Sequence, residues 1–134
     1  MGTFGGLTTS AGGSCPCGSG ADYAACCGPL HAGDQEATSA AQLVRSRYAA
    51  YVVGDAAYLT RTWHPRTRPA ELDVAPDPGW QGLEVLRTDD GREGDPSGEV
   101  EFVATHATGP LHERSRFVRR SGSWWYVDGL EITS

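Results

Sequence analysis

Lysine is absent from this chain: all eleven basic residues are arginine. Against seventeen acidic residues they leave a formal net charge of −6. That balance argues against a nucleic-acid binder driven by bulk electrostatics. The missing lysine has two readings. Codon composition explains it without any function; alternatively, some arginines hold carboxylates or phosphates bidentately, which lysine does less well. A run of about 18 apolar residues, the length of a membrane-spanning helix, is also absent. The opening residues Met1 to Leu7 offer neither a basic n-region nor an apolar h-region, so no secretory signal is expected there. A cytoplasmic address follows by default, and residues 1–14 read as a flexible leader.

Cysteine is missing from nearly all of the chain, which makes its concentration informative. Cys15, Cys17, Cys26 and Cys27 are the only four. A disulfide framework suits a secreted chain, whereas cytosolic thiols are normally kept reduced. Adjacent Cys26 and Cys27 would join only through a strained vicinal bridge. One residue, not the two of a redox C-x-x-C, separates Cys15 from Cys17. The spacings also differ from those usual for iron–sulfur clusters. Two thiol pairs flanking a Gly-rich turn suit one tetrahedral ion, with zinc the leading candidate. Four protein ligands leave no open position, so such an ion is structural rather than catalytic. Gly18 and Gly20 are placed to take positive φ values, and Ser19 is a candidate cap for a short helical turn over 21–25. Tyr23 and Leu30 are the only sizeable apolar residues nearby, so this module should depend on its metal to fold. A redox sensor that releases zinc on oxidation is a further use of such thiolates.

The string C-P-C-G-S-G-x-x-Y-x-x-C-C-G over residues 15–28 resembles the SEC-C motif, the zinc-binding tail of the SecA translocation ATPase and of many small bacterial proteins. The resemblance implies that Cys15, Cys17, Cys26 and Cys27 bind one zinc ion within a knuckle at 15–31. His31 is a spare ligand candidate whose place is rather in the linker 28–33. The motif's use in SecA implies a docking role toward a protein partner, ribosomal or translocation-related.

Residues 34–63 read helical. Ser39 and Gln42 form a candidate capping box, and Ala41, Val44, Tyr48, Tyr51 and Val52 share a face. Gly54 ends that helix, Asp55 caps a second carrying Tyr58, Leu59 and Trp63, and His64-Pro65 stops it. Beyond Trp80 the pattern alternates: 83–88, 99–107, 113–119 and 124–127 are strand candidates. Helices followed by an antiparallel meander make an α+β fold with the helices on one sheet face. Alternation puts Val100, Phe102, Ala104 and His106 on one side of their strand, and Glu113, Ser115 and Phe117 on one side of theirs. Neighbours Trp124 and Trp125 must face opposite ways.

Five strings together resemble the YchJ-like family: Arg45 to Tyr51, Tyr58 to Pro65, Thr67 to Pro69, His112 to Phe117, and Trp125 to Gly129. The resemblance implies a cone-shaped nuclear-transport-factor-2-like domain over 34–134, its N-terminal helices packed on a curved antiparallel sheet, preceded by the zinc knuckle. Such cones commonly enclose a pocket. Its candidate lining here is Arg47, Trp63, His64, His106, Glu113, Ser115 and Tyr126. His64 and Glu113 would be the acid/base pair of an enzyme, with Arg47 holding an anionic substrate. The structural alternative makes Arg47 and Glu113 a buried ion pair, has His64 capping the second helix, and leaves Arg45, Arg61, Arg66 and Arg68 as a solvated basic patch. The reading favours a non-enzymatic protein that docks a partner through the knuckle, with a small-molecule-binding or enzymatic cone pocket as the alternative.

Overall fold

Ser39 sets the start of the longest helix, α2 (Ala40–Val53), its hydroxyl accepting from the Gln42 backbone at 3.1 Å. The return half of the capping box shifts by one residue, because Gln42 Oε1 accepts from the Thr38 backbone at 2.6 Å. The structure, a computed structural model, describes residues 13–132; most of the leader read at 1–14 therefore lies outside the described residues. Gly54 closes α2 in the left-handed conformation, φ 83°, with its N–H on the Ala50 carbonyl. A side chain there would also meet Pro76, whose nitrogen lies 2.5 Å from the position of a Cβ. Asp55 then caps α3 (Ala56–Arg61) through Tyr58 N at 3.0 Å.

The helical expectation for 34–63 is too generous at its start, since residues 33–39 are non-helical. The segment read as a linker is instead a short helix, α1 (Cys27–Ala32). Ser19 does not cap the turn before it: that turn spans Tyr23–Ala25 without a side-chain cap, and Ser19 Oγ accepts from Ala21 N at 3.2 Å.

Four strands, β1 (Trp80–Asp90), β2 (Ser97–His106), β3 (Gly109–Arg120) and β4 (Ser123–Glu131), pair antiparallel in chain order. They run longer than alternation alone indicates, because ladder hydrogen bonds continue through their polar ends. Val100 and Ala104 are buried on the helix-facing side of β2, as the alternation requires. Trp124 is buried, while Trp125 packs edge-on against His64 with ring centroids 6.2 Å apart.

β4 carries a bulge. Arg116 faces Asp128 and Phe117 faces Tyr126, leaving Val127 without an opposite residue. The extra residue changes the phase of the strand, so Tyr126 and Gly129, three apart, both lie opposite inward-facing β3 positions, Phe117 and Ser115.

Leu43, Val44, Leu59, Val100, Phe117 and Trp124 form the core between helices and sheet. The buried face of α2 is wider than the expected stripe: Ser46, Ala49 and Ala50 are buried along with Val44 and Tyr48. The reason is that α2 is covered twice. The sheet lies along one side, and the cysteine cluster packs on Ala49 from the other.

Candidate metal centre and cavity

The four cysteine sulfurs lie within 4.8 Å of one another. Backbone bonds shape the loop that holds them: Cys15 N donates to Ala21 O at 2.8 Å, and Tyr23 N to Gly13 O at 3.0 Å. Gly18 and Gly20 take φ values of 83° and 87°, in the region that favours glycine. Tetrahedral thiolate coordination at about 2.3 Å places sulfurs about 3.8 Å apart, and Cys17 and Cys26 are 3.6 Å apart. The set therefore fits one metal ion.

The thiols differ in their electrostatics. Burial lifts the Cys15 and Cys27 thiols above their ordinary range, and neighbouring sulfurs add to the rise at Cys27. Burial acts likewise on Cys17, but hydrogen bonds from Ser19 and adjacent sulfurs outweigh it, so that thiol titrates low. Four thiolates are mutually repulsive until a cation sits among them.

His31 joins this cluster to α2, and sequence reasoning missed that. Its Nε2 donates to the Ser46 carbonyl at 2.8 Å, so in the neutral ring Nδ1 accepts from the Tyr23 hydroxyl at 2.6 Å. Ser46 Oγ donates to Leu43 O and accepts from the Tyr58 hydroxyl at 2.7 Å. Arg61 closes the junction, donating to the Leu30 and His31 carbonyls at 3.1 and 2.9 Å and lying over the Tyr58 ring. Arg68 donates to Trp63 O at 3.0 Å. Two members of the expected solvated patch are thus tied to the protein's own carbonyls.

On the opposite side of α2 a cavity of about 300 Å³ opens between helix and sheet. Four of the seven expected lining residues meet there: Arg47, Glu113, Ser115 and Tyr126. The walls are otherwise largely apolar, built from Val44, Tyr48, Tyr51, Trp80, Phe102 and Phe117 among others.

The other three expected residues lie elsewhere. Trp63 stands behind Arg47 and packs edge-on against Tyr126 at 5.0 Å. His64 is turned away because the chain after α3 pairs with β4: Trp63 bridges to Tyr126, and His64 N donates to Tyr126 O at 2.8 Å. Its ring accepts from Arg66 N and packs edge-on against Trp125, so it neither caps α3 nor faces Glu113 across the cavity. His106 sits at the end of β2, behind Trp80, bonded to Asp77 at 3.0 Å.

The expected Arg47–Glu113 ion pair does not form; neither residue joins an ion pair among the described residues. Arg47 Nη1 instead donates to Leu59 O at 2.9 Å and Thr62 Oγ1 at 2.8 Å. Its guanidinium carbon lies 5.0 Å from the Trp63 ring centre and 4.4 Å from that of Tyr126. Burial pulls this guanidinium below its ordinary pKa. Burial also raises the Tyr126 phenol, with the Glu113 charge adding to the rise. Glu113 Oε2 accepts from Ser115 Oγ at 3.2 Å and, at 3.5 Å, from Tyr126. Gly129 makes room for that carboxylate: a Cβ there would lie 1.5 Å from Oε2. The glycine stands in the Trp125-to-Gly129 string, but its purpose is visible only with Glu113 beside it.

The sequence matches the family described as "YchJ, middle NTF2-like domain" over residues 39–129, and the SEC-C motif over 14–29. A UPF0225 protein of Streptomyces coelicolor is 55% identical over 115 residues, covering 86% of this chain and 93% of that protein. Another, of Deinococcus radiodurans, is 50% identical over 123 residues, covering 87% and 88%. The solution structure of a SEC-C motif containing protein from Rhodopseudomonas palustris superposes with a TM-score of 0.73 at 33% identity, covering 89% of this chain and 98% of that one. A crystal structure of another from Psychrobacter arcticus gives 0.69 at 28%, covering 90% and 83%. With its thiol cluster, its helix-covered meander and these likenesses along most of its length, the chain belongs to the YchJ-like UPF0225 family, a SEC-C motif followed by a nuclear-transport-factor-2-like domain.

Proposed function

We propose that this chain is a ligand-binding protein: the cone domain takes a small organic molecule in its cavity, and a zinc ion in the knuckle braces helix α2 from behind. The observation that carries the reading is the cavity itself, about 300 Å³, mostly apolar, with Arg47, Glu113, Ser115 and Tyr126 converging on it. Apolar concavity with a few placed polar groups is the usual composition of small-molecule sites. An enzyme is not proposed, since the acid/base pair would need His64, which lies off the cavity. Zinc is the ion of choice because four cysteine sulfurs within 4.8 Å of one another are a donor set that it prefers and that would fill its coordination sphere. A redox sensor is not favoured, because Cys15, Cys17 and Cys27 are buried and only Cys26 is half-buried.

A cavity-filling variant tests the reading. Ala104 lines the site and is 3% exposed, so Ala104→Phe should abolish the chemical-shift changes that binding fragments cause in wild-type protein. Binding that survives the filled cavity at unchanged affinity would remove the cavity from the function.

Docking through the knuckle is the second reading, favoured by the exposure of residues 18–22 at its tip. Zinc chelation should then strip a partner from the chain in pull-downs. Identical partners with and without chelator would end that reading.

A further inference from the structure

A guanidinium has five N–H donors, and Arg47 spends only part of them on the protein. Its Nη1 serves Leu59 O and Thr62 Oγ1. The Nε–Nη2 edge, carrying the other three N–H groups, has no acceptor among the described residues. Arg47 is nevertheless 6% exposed, with no carboxylate within ion-pairing distance among the described residues. Among the described residues the sealed, unpaired side-chain polar atoms are Trp63 Nε1 and Trp124 Nε1, so the open edge of Arg47 keeps solvent contact and is accessible to an acceptor from outside the protein. The Trp63 and Tyr126 rings beside the guanidinium stabilise its charge, but they accept no in-plane hydrogen bond. The same residue lines the cavity. Nε and Nη2 form the side of the guanidinium that presents two parallel N–H groups, the match for a carboxylate's two oxygens.

Glu113 lines the same cavity and narrows the choice. Ser115 and Tyr126 occupy its Oε2, while Oε1 has no partner among the described residues. One cation facing one carboxylate suits a ligand with a single negative charge; a second charge, as on a phosphate dianion, would meet Glu113. The remaining wall is made of rings and aliphatic side chains, including Trp80, Phe102 and Phe117, which suit a flat apolar body.

The geometry points to a small aromatic monocarboxylate as the ligand class, its carboxylate held bidentately by the Nε–Nη2 edge of Arg47. This rests on the reading of the cavity as a ligand site. Three isosteric probes separate the two ideas: 2-naphthoate, 2-naphthamide and 2-naphthylmethylammonium, titrated into the full chain and followed by amide and ring chemical shifts. Naphthoate should bind about tenfold or more tighter than the amide, moving the Phe102 and Phe117 ring resonances. Naphthamide or the ammonium binding as tightly as naphthoate would overturn the carboxylate assignment and leave the ligand site standing. No ring shift with any of the three, at millimolar concentration, would sink both.

Arg47 also supports α3, so its removal confounds folding with binding. Glu113→Gln is the cleaner variant: without its repulsion, affinity for naphthoate should rise severalfold, about the size of one relieved like-charge contact. The dianion 2,6-naphthalenedicarboxylate should bind the variant but not the wild type. Unchanged affinity for both anions in Glu113→Gln would refute the single-charge selection.

Discussion

The knuckle and the cone domain bury charged or ionisable groups by opposite means. In the knuckle the buried side chains are mostly the cysteines themselves, Cys15, Cys17 and Cys27, gathered on Ala49 of α2 with little apolar mass around them. In the cone a continuous apolar core surrounds one guanidinium, whose Nη1 is held by a carbonyl and a hydroxyl and whose face lies on two rings, with no counter-ion among the described residues and its Nε–Nη2 edge left without an acceptor there. The first arrangement is one that a cation would complete; the second draws on its neighbours and leaves one edge of the guanidinium open. Both press on one helix, so α2 is where the cysteine cluster and the apolar core meet.

Chelation should separate them most sharply. Structural zinc contributes roughly 10–16 kcal/mol to small thiolate modules, so removing it should erase amide-exchange protection across residues 13–32. Protection in β2 and β3 should persist. Loss extending through those strands would show that the cone has no stability of its own.

Next in size is Arg47→Ala, which deletes two charge-assisted hydrogen bonds and should cost about 3 kcal/mol in urea unfolding. Metal content should stay at one ion per chain. Gly129→Ala drives a methyl into the Glu113 carboxylate and should cost about 2 kcal/mol. The penalty should largely vanish when the same change is made in a Glu113→Ala background; a full penalty in both backgrounds would locate the strain elsewhere. His31→Phe removes the bridge between Tyr23 and Ser46 at about 1 kcal/mol. Metal should still bind, with faster exchange of knuckle amides as the readout.

The smallest effect belongs to the solvent face of the sheet. His112, and after it Arg114, hold Glu101 below its usual carboxylate range. A folded value below the unfolded one means stabilisation that is present above the unfolded pKa and lost as pH falls through the folded value. His112→Ala should therefore move the acid-unfolding midpoint upward; an unmoved midpoint would show the pair to be without consequence.

Much of this was legible along the chain. Ser39, Gly54 and Asp55 end and begin helices through contacts within four residues, so local chemistry suffices. Two-residue alternation likewise aligned Val100, Phe102 and Ala104, and brought Glu113 and Ser115 toward Arg47. His64 escaped such reasoning because its direction depends on a pairing with Tyr126, 62 residues away in sequence (126 − 64). His106 shares the inner parity of β2 but sits where the strand ends and Asp77 takes its ring. Nothing in the spacing around Cys27 announces that the knuckle leans on Ala49, or that His31 fastens it there.

The sequence by itself determined the thiolate set, the helix limits and the inner face of the central strands, because each depends on near neighbours and on fixed periodicities. Only the tertiary structure decided which polar groups meet. The β4 bulge at Val127 places Tyr126 and Gly129 against β3, and α3 offers Arg47 a carbonyl in place of Glu113. A buried charge takes whichever partner the packing brings within reach, and that choice is made by the whole fold.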